Sequence, residues 1–148
     1  MLLNRDWIEL LSLFNKYKIR YLVVGGYAVI RYTEPRFTKN IDLWIATDRI
    51  NASAVYDALK EFGAPLHNLT AEDFSVSGYF YQMGRAPLRV DIMMSIPGVE
   101  FEEAWERKEE AVIMEVNIPF ISVQDLITVK EASGRPQDMI DVENMKKR

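Results

Sequence analysis

The stretch YLVVGGYAVIRYTEPRFTKNIDLWIA, residues 21–46, joins a short apolar segment, a glycine pair, a basic loop and a second apolar segment that contains a carboxylate. Residues 21–24 are continuously apolar, which is typical of a strand buried on both faces. We expect Gly25-Gly26 to end this strand and residues 27–32 to begin a helix. In residues 41–46, aliphatic residues alternate with Asp42 and Trp44, which predicts a second strand.

Helical spacing of apolar residues predicts amphipathic helices on both sides of this stretch. The first covers residues 4–17 with Asn4 or Asp6 as its cap. Another covers residues 47–63, with a cap near Thr47 or Asp48 and an end at Gly63.

The second half of the chain is predicted to add strands and two final helices. Residues 77–84 and 87–96 are expected to form a hairpin through a turn at Arg85-Ala86-Pro87. Residues 99–111 predict a charged surface helix, and residues 112–122 predict one strand that Pro119 would place at a sheet edge. Further signals are a capping box at Thr70 and Asp73, another at Ser122 and Asp125 before a helix ending at Gly134, and Pro136 in the first turn of a last helix. This order implies an α+β fold, with one mixed sheet and helices packed on it, in a single domain over residues 1–148.

Composition excludes several function classes. The chain has 148 residues, a formal net charge of −4 and no cysteine, so disulfides, thiolate metal sites and a cysteine nucleophile are excluded. Net acidity gives no general attraction to nucleic acid or anionic membrane, so an anion site must be local. His67 is the only histidine, which leaves little for a Ser-His-Asp triad. No signal peptide is recognised, and no apolar run approaches the ~20 residues of a membrane span, so a cytoplasmic protein without membrane contact is expected.

The glycine pair lies between a buried strand and a helix. Glycine lets backbone N–H groups approach phosphate oxygens, and a helix N-terminus adds partial positive charge. The alternative is a tight strand-to-helix turn without a ligand. The P-loop and dinucleotide glycine patterns are absent.

Asp42 and Asp91 each interrupt an otherwise apolar strand. An isolated buried carboxylate is costly, so each must face solvent or be paired. If the two strands are neighbours, the acids lie side by side and suit Mg²⁺, which prefers oxygen ligands and bridges to substrate phosphates. Two unrelated aspartates on a solvated face are the alternative.

Basic residues surround both predicted acid positions. Arg31, Arg36 and Lys39 lie between the glycines and Asp42, and Arg85 and Arg89 flank the approach to the second acid. In a net acidic protein, this grouping fits an anion that arrives with a metal. Exposed salt bridges would also account for it.

The chain resembles the nucleotidyltransferase superfamily with the DNA polymerase β-like fold. The resemblance is carried by an apolar strand ending in Gly-Gly, a thirteen-residue spacer, Asn40-Ile41-Asp42-Leu43, and Asp91 on a later strand. The segments RFTKNIDLWI and LITVKEASGRPQDMIDVENM are similar to small bacterial nucleotidyltransferases, including the group related to toxin–antitoxin and abortive-infection transferases. The likeness covers nearly the whole chain.

This resemblance implies transfer of a nucleoside monophosphate from an NTP, with ATP as the expected donor, to an acceptor hydroxyl. Mg²⁺, with Mn²⁺ as the alternative, would be bound by Asp42, Asp91 and the residue at position 40. Gly25 and Gly26 would hold the β and γ phosphates, and Asp91 would orient or deprotonate the acceptor.

We expect four basic residues to contribute to this phosphate site. Arg36 and Lys39 are predicted from their charge and location, independently of the resemblance. Lys130 and Arg135 are expected to reach the triphosphate from the C-terminal helices.

Asn40 departs from the family pattern, which has an acid there. An amide oxygen can bind Mg²⁺, but one negative charge is lost, which matters by up to about 4 kcal/mol for charges ~4 Å apart at an effective dielectric near 20. Two hypotheses therefore stand, a Mg²⁺-dependent nucleotidyltransferase and a catalytically weakened domain that binds nucleotide or a protein partner, as an antitoxin does. Direct nucleic-acid binding is a third hypothesis, disfavoured by the net charge.

Overall fold

The computed structural model describes residues 3–34, 38–85 and 88–147. The strands in this part of the chain are β1 (Tyr21–Val24), β2 (Asn40–Ile45), β3 (Phe80–Met83), β4 (Arg89–Met93), β5 (Glu109–Ile113) and β6 (Val116–Phe120). The α-helices are α1 (Arg5–Lys16), α2 (Gly25–Tyr32), α3 (Arg49–Phe62), α4 (Phe101–Glu106), α5 (Val123–Ser133) and α6 (Pro136–Lys146). A 3₁₀ turn covers Ala71–Ser75.

The strands form one mixed sheet in the order β3-β4-β2-β1-β6-β5. The central neighbours β1 and β2 are antiparallel, and each has a parallel neighbour on its other side, β6 and β4 respectively. Antiparallel partners β3 and β5 close the two edges. The predicted fold class, a mixed sheet with packed helices, is confirmed.

Helices α1 and α3 cover one face of the sheet. Helix α1 buries four residues at 3–4 residue spacing, and α3 buries a similar stripe. Phe14 of α1 contacts Tyr21 of β1 with ring centroids 5.3 Å apart. Phe74 of the 3₁₀ turn packs against Tyr81 of β3 and is 1 % exposed. This layer leaves the opposite face of β2, β3 and β4 for the site.

The helix ends follow the predicted capping chemistry. The side chains of Asn4 and Asp48 accept hydrogen bonds from backbone N–H groups of α1 and α3. Gly63 and Gly134 end α3 and α5 with φ of +92° and +68°, where a side chain would be strained. The capping box at Thr70 has both of its hydrogen bonds. At Ser122 only the serine half of the predicted box forms, because the Asp125 carboxylate binds the Arg107 guanidinium instead.

Three predicted boundaries are wrong. Strand β1 ends at the glycine pair as predicted, but α2 begins at Gly25 rather than after the pair. The charged helix stops at Glu106, and its predicted last residues, from Glu109, belong to β5. The single strand predicted over residues 112–122 instead contains the end of β5, a turn at Met114 and Glu115, and β6, which pairs with β5 as a hairpin.

Pro119 is therefore not on an edge strand, because β6 lies between β1 and β5. The structure tolerates proline there because β6 overlaps β1 only at its end, where Val23 is the register partner of Phe120. The turn predicted at 85–87 lies partly outside the described residues. Within the ranges described, no helix has the length and apolarity needed to cross a membrane.

Candidate functional site

Two aspartates on neighbouring parallel strands lie side by side. Asp42 of β2 and Asp91 of β4 are register partners, as are Asn40 and Arg89 two residues earlier. Because side chains alternate along a strand, residues 40 and 42 share one face of the sheet, as do 89 and 91. The predicted juxtaposition of the two acids is therefore observed.

The Asn40 side chain links the two carboxylates. Its Nδ2 donates to Oδ1 of Asp42 and to Oδ2 of Asp91, the latter at 3.2 Å. Arg89 Nη2 donates to the same Asp91 oxygen at 3.1 Å. The amide thus bridges the two carboxylates, and the guanidinium offsets part of the charge of Asp91.

The negative charge of the acid pair is only partly balanced by the side chains around it. Burial, and then the neighbouring Asp91 carboxylate, raise the pKa of Asp42 to about 7 from the ordinary 3.8. Asp91 is 7 % exposed, and its buried Oδ1 accepts no hydrogen bond from any described residue. A buried carboxylate oxygen without a donor is costly. The arrangement therefore favours an added cation or hydrogen-bond donor.

Gly25 is required by the position of Asp42. Its φ is +66°, and a Cβ built on it would lie 1.9 Å from Asp42 Oδ2. The carboxylate thus rests directly against the backbone at the start of α2. No side chain caps the N-terminus of α2, so its first N–H groups lie beside the acids without a side-chain acceptor.

A second charged cluster lies on the C-terminal helices. Lys130 of α5 is 8 % exposed, and its Nζ lies 3.0 Å from Asp138 Oδ1 and 3.2 Å from Asp141 Oδ2, both on α6. Arg135 Nε donates to Asp138 Oδ2 at 2.8 Å. Burial alone would raise the pKa of Asp138, but the hydrogen bonds from Arg135 and Lys130 outweigh it, and the pKa is lowered. Lys130 is thus a buried cation held in a fixed position.

Sequence reasoning did not identify Asp138 and Asp141. A signal was available, because both acids share the buried stripe of α6 with Val142 and Met145 at 3–4 residue spacing. Two acids on the apolar stripe of a helix indicate a buried cationic partner.

A cleft of about 140 Å³ connects the two clusters. It brings together four residues that the sequence singled out, Gly25, Asp42, Lys130 and Arg135. The remaining lining side chains are mostly apolar, namely Val24, Met93, Ile96, Pro97, Leu126 and Val129, with Ser133 and Asp138.

The other predicted phosphate-binding residues are placed less directly. Gly26 follows Gly25 in the first turn of α2 and does not line the cleft. Lys39 is exposed and precedes β2 without lining the cleft. Arg36 lies outside the described residues. Arg31 lies over the Phe120 ring, 5.5 Å from its centroid. The roles predicted for all these residues stay predictions.

The histidine and the three tryptophans do not line the cleft. His67 is an exposed loop residue. Trp7 and Trp44 are buried, and Trp105 stacks on Phe101 with ring centroids 5.9 Å apart.

Comparisons with known proteins identify the fold and the family. One solved structure with this fold is the lincomycin-bound lincosamide antibiotic adenylyltransferase LnuA, at 18 % identity and a TM-score of 0.61 over 98 % of this chain and 97 % of that one. Another is a nucleotidyltransferase candidate from Thermotoga maritima, at 14 % identity and a TM-score of 0.64 over 97 % and 92 %. No curated protein matches the sequence.

The family model described as "Nucleotidyltransferase of unknown function (DUF6036)" matches residues 5–146. The chain therefore belongs to this nucleotidyltransferase family, and the predicted resemblance to nucleotidyltransferases is confirmed, while the relation to toxin–antitoxin and abortive-infection transferases stays a prediction.

Proposed function

We propose that this family member transfers a nucleoside monophosphate from an NTP to the hydroxyl of an acceptor, with pyrophosphate as the leaving group. The acceptor oxygen forms a bond to the α-phosphorus, the bond from that phosphorus to the bridging oxygen breaks with its electrons leaving on the pyrophosphate, and the hydroxyl proton passes to the Asp91 carboxylate. The observation that carries the proposal is the register pairing of Asp42 with Asp91 beside the backbone of Gly25. ATP is the expected donor, since LnuA, which shares the fold, is an adenylyltransferase.

The phosphate side of the reaction is assigned to the cleft. Backbone N–H groups at the start of α2 would donate to phosphate oxygens beside Gly25. Lys130 and Arg135 line the same cleft, and their charge would favour the pyrophosphate as it leaves. Because two aspartates fix the Lys130 ammonium, its position would not need to reorganise during the reaction.

The acid side is assigned to Asp42 and Asp91. The buried, unbonded Oδ1 of Asp91 is suited to accept the hydrogen bond of the acceptor hydroxyl and to orient it. Asp42 lies between Asp91 and Gly25, and therefore between the acceptor and phosphate sides.

Mg²⁺ or Mn²⁺ fits this donor set. Asp42 and Asp91 supply hard carboxylate oxygens, and a rotated Asn40 amide would supply a third oxygen. Among residues 3–34, 38–85 and 88–147, no group of three or more His, Cys, Asp or Glu side chains is placed to hold a metal, in keeping with the amide at position 40. When bound, the ion would neutralise triphosphate charge and lower the pKa of the acceptor hydroxyl.

A transfer assay with α-labelled NTPs tests the proposal. Purified protein, Mg²⁺ and each NTP are combined with lincomycin, an aminocyclitol, a protein mixture or an RNA mixture, and labelled product and pyrophosphate are measured. We expect transfer to at least one acceptor, and its loss in Asp42→Asn and Asp91→Asn. Asp57→Asn is the matched control, because Asp57 is an exposed residue of α3. Transfer that survives Asp42→Asn would refute the proposal.

One observation favours a second candidate, a nucleotide- or partner-binding domain without turnover. The Asn40 amide already donates to one oxygen of each carboxylate, which lowers their demand for a metal. This candidate predicts nucleotide binding without pyrophosphate release in either the native protein or Asn40→Asp. Turnover in Asn40→Asp alone would identify an enzyme that has lost activity.

A further inference from the structure

The edge strand β3 presents two exposed side chains on the same face as the aspartates. Gln82 is the register partner of Asp91, and Phe80 is the partner of Met93. Residues directly opposite each other on antiparallel strands share a face. Phe80 is 67 % exposed, and Gln82 is also exposed. We call Phe80, Gln82 and Met93 the β3 shelf.

The opposite face of β3 is fully used by the core. The Tyr81 ring contacts Phe74 with centroids 5.6 Å apart, and its hydroxyl donates to the Pro65 carbonyl at 2.7 Å. Met83 is buried. The exposure of Phe80 therefore belongs to a well-anchored strand with one open face.

The β3 shelf lies on the Asp91 side of the acid pair, and Gly25 lies on the Asp42 side. In the sheet order, β3 precedes β4 with Asp91, then β2 with Asp42, then β1, which leads into Gly25. Lys130 and Arg135 share the cleft with Gly25 and Asp42. In phosphoryl transfer the attacking and leaving oxygens are roughly in line. If pyrophosphate leaves beside the backbone of Gly25, the acceptor must approach from the side of Asp91 and β3.

The dimensions of the β3 shelf fit one small molecule. Side chains of directly opposed residues such as Gln82 and Asp91 have Cβ atoms about 4.5–5.5 Å apart, and diagonal neighbours such as Phe80 and Asp91 lie roughly 7–8 Å apart. A hydroxyl at Asp91 and a ring face on Phe80 can therefore belong to one small acceptor. Met93 also lines the cleft, so the shelf is continuous with it.

We infer that the β3 shelf binds the acceptor, and that the acceptor is a small polyhydroxylated ring such as a sugar or cyclitol; this inference rests on the proposed function. The Phe80 ring offers a flat apolar surface to the C–H face of such a ring. The Gln82 amide can donate to and accept from its other hydroxyls. A net acidic chain with two carboxylates beside the shelf disfavours a nucleic-acid acceptor.

An NMR titration tests the inference without requiring turnover. Labelled protein is saturated with Mg²⁺ and α,β-methylene-ATP, which cannot transfer its nucleotide, and is titrated with methyl β-D-glucopyranoside, myo-inositol or 2-deoxystreptamine. We expect at least one probe to shift the amide signals of residues 80–83 and 91. Its dissociation constant should rise at least tenfold in Phe80→Ala, less in Phe80→Tyr, and remain unchanged in Val112→Ala, which removes an exposed side chain from the other edge strand.

The outcomes separate this inference from the proposed function. If neither this analogue nor the corresponding analogues of the other three NTPs bind, the proposed function falls. If the analogue binds but no ring probe shifts β3, or Phe80→Ala leaves the probe affinity unchanged, only the inference is overturned. An oligoribonucleotide that shifts residues 80–83 more strongly than every ring probe would also overturn it.

Discussion

Replacing Gly25 by alanine should destabilise the protein through two separable effects. The φ of +66° places this residue in the left-handed region, where a side chain costs roughly 1–2 kcal/mol. The added Cβ would also lie 1.9 Å from Asp42 Oδ2, so the carboxylate must move away from its partners, and such overpacking costs about 1–3 kcal/mol. We expect Gly25→Ala to lower the free energy of unfolding by roughly 2–5 kcal/mol in urea titrations.

Gly134→Ala is the matched control for the backbone effect. Its φ is +68°, and the nearest atom to a built Cβ is a carbonyl oxygen at 3.9 Å, so only the conformational cost applies. The excess loss in Gly25→Ala should largely disappear in an Asp42→Ala background, which removes the clashing carboxylate. Equal losses for both glycine variants, or an excess that persists without the Asp42 carboxylate, would refute this account of the close contact.

Three further perturbations probe the charges of the site. Asn40→Asp removes an amide donor and adds a third carboxylate, so millimolar Mg²⁺ should raise the unfolding midpoint more than in the native protein; equal Mg²⁺ effects would contradict this. Burial and a neighbouring carboxylate raise the pKa of Asp42 to about 7 from 3.8, so the folded state retains a proton that the unfolded chain releases. This contribution to stability is complete below about pH 4 and is lost as pH rises through 7. The free energy of unfolding should fall over this window by no more than about 1.4 kcal/mol per pH unit. Parallel pH profiles of the unfolding free energy in Asp42→Asn and the native protein would contradict this. Lys130→Met removes the ammonium that two buried carboxylates of α6 share, of which Asp138 keeps Arg135. It should lower the free energy of unfolding in urea by about 3–5 kcal/mol, against ~0.5 kcal/mol or less for the exposed Lys60→Met. Similar losses for the two lysines would contradict a stabilising role for the buried ion pairs.

Sequence periodicity predicted the two strands that contain the acids, because in both β2 and β4 a single carboxylate interrupts an otherwise apolar run. It did not reveal the β5–β6 hairpin. The turn residues Met114 and Glu115 both have positive φ, 51° and 70°, a conformation usually signalled by glycine or asparagine. Without that signal, the apolar pattern of residues 112–122 predicted one continuous strand. Glu109 and Glu110 favoured a longer α4 by propensity, and pairing with β6 overrode that preference.

The candidate site was predictable where its chemistry lies in consecutive residues. Gly25, Asn40 and Asp42 fall within one quoted stretch, and the β-strand period fixed the shared face of the last two. The aspartates of α6 were missed because their partner, Lys130, lies on a separate helix, and only the packing of α5 against α6 brings the charges together. The shelf at Phe80 was missed for a related reason, since the pairing of β3 with β4 determines which residues share a face with Asp91.

Mg²⁺-dependent NTP binding at Asp42 tests the central claim most directly. Thermal unfolding is followed with each of the four NTPs, with and without Mg²⁺, in the native protein, Asp42→Asn and the control Asp57→Asn. A nucleotide at about 100 times its dissociation constant adds about 2.7 kcal/mol, or roughly 5–10 °C in a chain of this size. We predict a shift that requires Mg²⁺, survives in Asp57→Asn and vanishes in Asp42→Asn. No shift with any nucleotide, or an equal shift in Asp42→Asn, would contradict a nucleotide site built on this acid pair.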